Sequence, residues 1–181
     1  QKTVLFFVAL FIVLTSKAQN QKWNHYDQSN SGLPCNIVQS VTIDEQGNKW
    51  IGTKSDGMAK FDGANWTVYG QSNSGLPNDT VWSIAIDDQG NKWIGTLGGG
   101  LAKFDGANWT VYDQSNSGLP KNTVLSIAID NQGNKWIGTT GGMTKFDGTN
   151  WTVFKTSSSG LPDNEVPSIA IDDQGNKWIG T

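Results

Sequence analysis

Cysteine and histidine are almost absent from this chain of 181 residues, which has one of each. Cys35 has no second cysteine with which to form an intrachain disulfide, so disulfides cannot hold the fold together. His25 has neither a partnering nucleophile nor the additional histidine and cysteine ligands that a zinc site needs. The sequence therefore predicts no metal and no cofactor, and it argues against an enzyme.

Charge is also scarce, and it is not concentrated in any segment. Charged residues make up 16% of the chain, the formal net charge is −3 and the pI is about 4.9. The 13 basic residues are spread along the sequence, whereas proteins that bind nucleic acid cluster Lys and Arg against the phosphates. We therefore expect no nucleic-acid partner.

Long hydrophobic runs are missing except near the N-terminus, where residues 4–14 read VLFFVALFIVL. Lys2 precedes this run, and the small residues Ser16 and Ala18 follow it. The run is too short to span a bilayer, but it fits the core of a secretory signal peptide. We predict a signal peptide at residues 1–18 and an exported protein, periplasmic or extracellular. The alternative interpretation of the run is a buried strand.

An internal repeat dominates the rest of the chain. The motif NKWIGT occurs four times, with its tryptophan at positions 50, 93, 136 and 178, and the motif GLP recurs with the same spacing. Each unit alternates short runs rich in Ile, Val, Trp, Tyr and Thr with clusters of Gly, Asn, Asp and Ser, which is typical of strands and turns. No run has the spacing of apolar residues that a helix needs. A period in the low forties in an all-β chain predicts the blades of a β-propeller.

Each repeat is predicted to form a four-stranded antiparallel blade. In the second repeat, strands A, B, C and D are expected at residues 81–86, 92–96, 101–104 and 109–112. Residues 19–181 then form three full blades, with a lone strand D at residues 23–26 and strands A and B at the C-terminal end. A propeller hides its sheet edges by closing a ring of four to eight blades, so we expect these blades to belong to a larger ring.

The repeat has a recognisable sequence pattern. The residues V-x-S-I-A-I-D-x-Q-G-N-K-W-I-G-T followed by G-G-x-x-K-F-D resemble the two-component regulator propeller repeat, and the resemblance extends over residues 19–181. It implies a seven-bladed ring in the extracellular sensor region of a bacterial hybrid histidine kinase, where such domains respond to oligosaccharides. Similar repeats also occur in secreted proteins without a kinase. Membrane attachment would then depend on segments beyond residue 181.

Variation between the turns and loops of the copies is concentrated at one end of the blades. In an antiparallel blade the A–B and C–D turns lie at one end, and the B–C loops and D–A connections lie at the other. The A–B and C–D turns hardly differ between copies, whereas the B–C loops read KSDG, LGGG and TGG, and each D–A connection varies at two late positions. Repeat proteins build binding surfaces from varied loops on a constant scaffold, so we predict a ligand site here; neutral drift is the alternative. The candidate residues are Gln39, Lys54, Asp56, Trp82, Lys121, Leu125 and Glu165.

The tryptophans fall into two groups. Those of NKWIGT and those that open strand D recur in every copy, so we expect them to pack between blades rather than to bind a ligand. Trp82 lies outside the repeat pattern, at a position where other copies have Gln39, Leu125 and Pro167. We expect Trp82 either to pack beside Ile84 or to stack on a ligand at the mouth of the central channel.

The acidic A–B turns suggest calcium at first sight, because carboxylate and amide oxygens are calcium ligands. The turn DDQGNK at residues 87–92 lacks the further acidic positions and the terminal Glu of an EF-hand loop. A hairpin turn with an Asx-type hydrogen bond is therefore the favoured interpretation.

The sequence leaves three functions to compare. The favoured one is a sensor propeller that binds an extracellular small molecule or oligosaccharide. The second is a secreted or surface-associated propeller that binds a protein partner as an interaction scaffold without signalling. The third is an enzyme similar to streptogramin lyase, a propeller that uses a His and a Glu on one face. Glu165 lies on the variable end, but His25 lies far from it in the repeat, which argues against catalysis.

Overall fold

The computed structural model describes residues 23–181 as a chain of β-sheets. The predicted signal peptide at residues 1–18 lies outside the described residues. Three four-stranded sheets and one two-stranded sheet are present. Residues 23–181 contain a single turn of helix, α1 (Thr156–Ser159), and none of this part of the chain forms a helix long and apolar enough to cross a bilayer.

Each four-stranded sheet is a blade whose antiparallel strands follow one another in chain order, which confirms the predicted architecture. Blade 1 contains β1 (Val38–Ile43), β2 (Lys49–Thr53), β3 (Met58–Phe61) and β4 (Trp66–Tyr69). Blade 2 contains β5 (Val81–Ile86), β6 (Lys92–Thr96), β7 (Leu101–Phe104) and β8 (Trp109–Tyr112). Blade 3 contains β9 (Val124–Ile129), β10 (Lys135–Thr139), β11 (Gly142–Phe146) and β12 (Trp151–Phe154). The two-stranded sheet contains β13 (Ser168–Ile171) and β14 (Lys177–Gly180).

The predicted strands of the second repeat agree with β5 to β8 at every residue. The strand D predicted at residues 23–26 is wrong, because no strand forms there. A D strand hydrogen-bonds to the C strand of its own blade, and the described residues contain no C strand ahead of this segment. Tyr26 nevertheless packs as a D-strand tyrosine does: its ring centroid lies 5.5 Å from that of Phe61, the same separation as between Tyr69 and Phe104.

Each A–B turn is held by an aspartate that accepts several hydrogen bonds. In blade 2, Asp87 accepts bonds from the backbone and amide N–H groups of Asn91, both at 2.9 Å, and from the indole Nε1–H of Trp93 at 2.8 Å. Gly90 completes the turn with a φ of +77°, which L side chains rarely adopt. The Asx-type turn is thereby confirmed. The same aspartate–tryptophan bond, at 2.9 to 3.0 Å, joins Asp44 to Trp50, Asp130 to Trp136 and Asp172 to Trp178.

In blades 1 to 3 the tryptophan held by the aspartate packs against the sheet that follows. Trp50 is 2% exposed and lies in an apolar core with Val81, Ile84 and Phe104 of blade 2. The Nζ atom of Lys92, also from blade 2, lies 4.7 Å from the centre of the Trp50 ring. Aromatic and cation–π contacts of this kind contribute about 0.5–2 kcal/mol each. The predicted packing of this tryptophan between blades is confirmed.

The GLP motif accommodates the second tryptophan of each repeat. Trp109 opens β8 and stacks on Phe104, with ring centroids 4.6 Å apart. A Cβ atom on Gly75 would lie only 2.4 Å from the Cβ of Trp109, so the chain can pass this ring only with glycine at that position. Leu76, the next residue of the motif, is buried in the core between blades 1 and 2. The motif therefore recurs because it fills the space between blades.

The A–B aspartates ionise more readily than free aspartate does. Burial of Asp130 on its own would raise the pKa of its carboxyl, but hydrogen bonds from Trp136 and Asn134 outweigh burial and lower the pKa from 3.8 to about 2. Burial and hydrogen bonding oppose each other in the same way at Asp87, and its pKa is also lowered. Because the folded pKa lies below the unfolded one, the ionised carboxylate stabilises the fold above the unfolded pKa.

Acid is therefore expected to destabilise the chain over a defined range. As the pH falls from about 4 to about 2, protonation of Asp130 should remove about 2 kcal/mol from the free energy of unfolding. Denaturant unfolding followed by circular dichroism across this pH range measures the loss. Asp130→Asn, which cannot ionise, should be less stable near neutral pH and should lose less stability in acid. An equally steep acid dependence in Asp130→Asn would contradict the assignment.

The two neighbouring aspartates of one turn provide a matched comparison. Asp87→Asn keeps the size of the side chain but replaces one acceptor oxygen by a donor that faces the N–H groups of Asn91 or Trp93, so we expect it to destabilise the chain by about 1–3 kcal/mol. Asp88 is exposed, and Asp88→Asn should change stability by about 0.5 kcal/mol or less. Equal losses in the two variants, measured by denaturant unfolding, would show that the Asp87 bonds do not stabilise the blade.

Candidate ligand-binding face

The B–C loops and the D–A connections meet at one end of the blades. The B–C loop after β2 forms hydrogen bonds with two D–A connections. Lys54 N–H donates to the carbonyl of Ile37, just before β1, at 2.9 Å. Gly57 N–H donates to the carbonyl of Asp79, in the connection to β5, also at 2.9 Å. The hydroxyl of Thr80 also donates to the Lys54 carbonyl at 2.7 Å. These bonds confirm that the two sets of segments share one face. We call it the variable face; it comprises loops 54–57, 97–100 and 140–142 and connections 35–39, 78–82, 121–125 and 163–167.

Four of the candidate residues are charged and exposed on the variable face. Lys54 and Asp56 lie in one loop, where the Ser55 hydroxyl donates to Asp56 Oδ2 at 2.9 Å. Lys121 lies on the connection before β9, and Glu165 lies on the connection before β13. Among residues 23–181, Asp56 is the one non-glycine residue with a positive φ, at 66°. This conformation is costly for a residue with a Cβ, and such strain is found most often at functional sites.

The first variable position of each connection rests against the B–C loop of its own blade. In blade 1, a hydrogen bond with Ser55 lowers the pKa of the buried thiol of Cys35. In blade 3, a Cβ atom on Gly141 would lie 2.3 Å from Cγ of Lys121, so this glycine makes room for the lysine stem. The B–C loop and the D–A connection of a blade are therefore in contact, and their sequences differ together from copy to copy. Comparison of the copies shows the differences but not the contact.

Gln39, Trp82 and Leu125 are the extra residues of three equivalent β-bulges. In blade 2, for example, Val81 and Ser83 pair with the successive residues Thr96 and Gly95 of strand B, and Trp82 between them has no partner. The pairing is equivalent in blades 1 and 3. Bulges re-aim a side chain out of the regular alternation of a strand and are common next to functional sites. All three candidates are half-buried.

The bulged strands lie side by side in the molecule. Ser40 on β1 accepts a hydrogen bond from the N–H of Ile84 on β5, and Ser83 on β5 accepts one from Ile127 on β9, both at 3.1 Å. The three bulged residues thus occupy equivalent places along neighbouring innermost strands. The sequence analysis gave these serines no role, although a serine recurs at this position in every copy.

In the fourth repeat a proline, Pro167, occupies the position of the bulged residue. Pro167 has no N–H to donate to a ladder, and strand β13 begins only after it, at Ser168. The hydroxyl of Ser126 donates instead to the Val166 carbonyl at 3.0 Å. The row of bulged side chains therefore ends at Leu125.

Trp82 differs from the tryptophans of the repeat in how its indole N–H is used. The Nε1 atom of Trp82 is buried and has no hydrogen-bond partner, the one such side-chain atom in the part of the chain that the structure describes. Each NKWIGT tryptophan instead donates to its aspartate. A buried donor without an acceptor costs about 1–3 kcal/mol. Trp82 therefore places a buried donor without an acceptor at the variable face.

Two cavities lie away from the variable face, and none of the seven candidates lines them. One, of about 560 Å³, opens on the side of blade 1 and is lined by Val41, Lys49 and Trp66 among others. The other, of about 210 Å³, lies between the A–B turns of blades 2 and 3, beside Asp87 and Asp130. The candidates thus form a surface around the ends of the innermost strands.

His25 lies on the segment before β1 and not in any strand. Its Nδ1 atom is 3.6 Å from Asp27 Oδ2, and its side chain is largely exposed. Glu165, the carboxylate that sequence comparison with a propeller lyase singled out, belongs to the connection before β13. Within residues 23–181, no group of three or more His, Cys, Asp or Glu side chains is arranged to hold a metal ion.

Known structures resemble this fold over most of its length. The extracellular domain of the putative hybrid two-component system BT3049 from B. thetaiotaomicron is 31% identical, with a TM-score of 0.72 over 80% of this chain. The extracellular domain of the putative one-component system BT4673 from the same organism is 24% identical, with a TM-score of 0.65 over 80% of this chain. This chain spans only 20% and 19% of those two chains.

A propeller enzyme shows the same fold at lower identity. Virginiamycin B lyase from Staphylococcus aureus is 14% identical, with a TM-score of 0.60 over 79% of this chain and 48% of its own. At this identity the likeness concerns the fold alone. No curated protein sequence matches the chain.

The family comparison agrees with the repeat pattern. Residues 75–98, 118–141 and 160–181 match the family described as two component regulator propeller. Each matched segment starts at a GLP glycine and runs through the A–B turn into NKWIGT. Three of the repeats of this chain therefore each contain a segment that matches the two component regulator propeller family.

Proposed function

We propose that this chain is part of the exported, extracellular sensor of a two-component regulatory system, and that it binds an oligosaccharide or a similar small nutrient on the variable face. The 31% identity to an extracellular domain of a putative hybrid two-component system supports the sensor role. The concentration of loop variation on the variable face supports a binding role for that face. The activity of the whole protein is part of the proposal, because this chain spans a fifth of that relative.

The unsatisfied indole of Trp82 is the observation that carries the proposal. A sugar ring offers an apolar C–H face that stacks on an aromatic ring, and hydroxyl oxygens at its rim that accept hydrogen bonds. The half-buried indole of Trp82 offers a ring for the first contact, and its buried N–H, which lacks an acceptor, offers a donor for the second once the ligand opens the packing around it. Exposed charges on the same face, at Lys54, Asp56 and Lys121, supply the few polar groups that fix the orientation of a small ligand.

Substitution of Trp82 separates stacking from hydrogen bonding. In calorimetric titrations against a panel of oligosaccharides, Trp82→Ala should weaken binding about tenfold or more, because it removes the stacking surface. Trp82→Phe keeps a ring but loses the N–H, so we expect about a fivefold loss. Without ligand, Trp82→Phe should be no less stable to denaturant than the original chain, since the donor it removes has no partner.

Trp23→Ala is the control for this experiment. Trp23 is 86% exposed and precedes blade 1, outside the variable face, so its loss should leave binding unchanged. The ligand proposal fails if no oligosaccharide binds, or if Trp82→Ala binds as tightly as the original chain. A propeller that acts only as a protein scaffold would give the first of these results.

Asp56 allows a test in which stability and binding change in opposite directions. Asp56→Gly relieves the positive φ and removes the carboxylate, so we expect the free energy of unfolding to stay the same or to rise by up to about 1 kcal/mol. If Asp56 orients the ligand, the same variant should bind the oligosaccharide more weakly. Denaturant unfolding and calorimetric titration of one preparation measure both quantities. Unchanged binding in Asp56→Gly would remove Asp56 from the site.

A further inference from the structure

The hydroxyl of Thr80 forms a hydrogen bond across the boundary between blades 1 and 2. It donates to the carbonyl of Lys54 at 2.7 Å. The backbone of Thr80 is itself fixed on the blade 2 side, because its N–H donates to Asn78 Oδ1 at 2.8 Å and its carbonyl accepts from the N–H of Leu97 at 3.1 Å. Thr80 therefore ties the B–C loop of blade 1 to the connection that leads into β5.

The equivalent boundary between blades 2 and 3 lacks this side-chain bond. The backbone bond from the B–C loop to the next connection is kept there, since the N–H of Gly100 donates to the carbonyl of Asn122 at 2.8 Å. Thr123 occupies the position of Thr80, but in the described part of the chain no hydrogen bond joins its hydroxyl to the B–C loop of blade 2. The hydroxyl bond is thus particular to the B–C loop of blade 1.

The B–C loop of blade 1 differs from the other two loops in its backbone. Its sequence, KSDG, contains one glycine, whereas LGGG and TGG contain three and two. Asp56 in this loop has a φ of 66°, a conformation that usually requires glycine. A strained residue keeps such a conformation only where the surrounding structure over-determines it. The extra hydrogen bond on the carbonyl of Lys54, two residues before Asp56, is a constraint of that kind.

Two hydrogen bonds join this loop to the connection that carries Trp82. The carbonyl of Lys54 accepts from Thr80, and the N–H of Gly57 donates to the carbonyl of Asp79 at 2.9 Å. Trp82 follows two residues after Thr80. These bonds therefore set the spacing between the loop and Trp82, which belong to neighbouring blades. The bond from Thr80 is the one of the two that depends on a side chain, so a substitution can remove it.

We infer that Thr80 is a positioning residue of the proposed ligand site, and that this site extends across the boundary between blades 1 and 2. The Thr80 hydroxyl holds the B–C loop of blade 1 so that Asp56 and Trp82 contact the same ligand. This inference rests on the proposed function. Thr80 acts through the loop rather than on the ligand, because the single proton of its hydroxyl is already donated to Lys54. A loop that is ordered before the ligand arrives loses less conformational freedom on binding, which strengthens the affinity.

Amide hydrogen exchange without ligand tests whether Thr80 orders the loop. Thr80→Val keeps the size and branching of the side chain but loses the hydroxyl, so the amide of Gly57 should exchange about fivefold faster. Thr80→Ser keeps the hydroxyl and should exchange like the original chain. Thr123→Val is the matched control: it removes a hydroxyl that makes no such bond, so the amide of Gly100 should exchange as before. Unchanged exchange at Gly57 in Thr80→Val would overturn the inference, whether or not the chain binds an oligosaccharide.

A double-mutant cycle tests whether the ordered loop serves binding. In calorimetric titrations with the oligosaccharide that the original chain binds most tightly, Thr80→Val should weaken binding about fivefold and Thr80→Ser by less than about twofold. In the Asp56→Gly background, Thr80→Val should change the affinity by less than about twofold, because the group that Thr80 positions is gone. An equal loss in both backgrounds, or no loss in either, would overturn the inference and leave the ligand proposal intact. If no oligosaccharide binds the original chain, the proposed function fails and the positioning role falls with it.

Discussion

The hydrogen bond from a tryptophan indole to the aspartate of its own A–B turn is the interaction on which the rest of the structure depends. The aspartate accepts from the turn backbone and from the indole at once, so the bond that closes the hairpin also fixes the ring. The fixed ring then forms the centre of the contact with the next blade, where Lys92 covers Trp50 and Phe104 packs at its edge, with ring centroids 6.2 Å apart. Local turn chemistry and long-range packing therefore share one residue pair in each of the three four-stranded blades.

This shared pair explains why variation is polarised to one face. A substitution at the A–B end would disturb the turn, the ring and the neighbouring blade together, whereas a change in a B–C loop disturbs only the D–A connections bonded to it. Stability in a repeat protein is approximately a sum over copies and their nearest neighbours. One copy can therefore hold Trp82 while the others hold Gln39 and Leu125, provided that the flanking valine and serine keep the bulge.

Much of the fold could be predicted from the sequence because its signals are local. Strands β5 to β8 follow from runs of β-branched and aromatic residues between turn residues, and the packing of Trp50 follows from its recurrence. The prediction of a strand at residues 23–26 was wrong. The sequence there suits a strand, but a D strand forms only when a C strand lies beside it to pair with. The bulges were missed for a related reason: the alternation of residues along β5 gives no sign that Trp82 lacks a partner on β6.

The candidate site was less predictable than the fold because its features depend on contacts between segments that are distant in the sequence. The antiparallel order of the strands correctly placed the varying B–C loops and D–A connections on one face. It could not show that Lys121 lies against Gly141, or that the Trp82 indole is buried without an acceptor. That last feature bears on the two interpretations of Trp82, as packing residue or as ligand contact. A tryptophan recruited only to fill space would gain nothing from a buried donor that lacks a partner, and a leucine, as at Leu125, would fill the same position without that cost. Under the proposed function, a ligand that opens the packing around Trp82 would supply the missing acceptor, and the cost that the unbound chain carries would be recovered on binding.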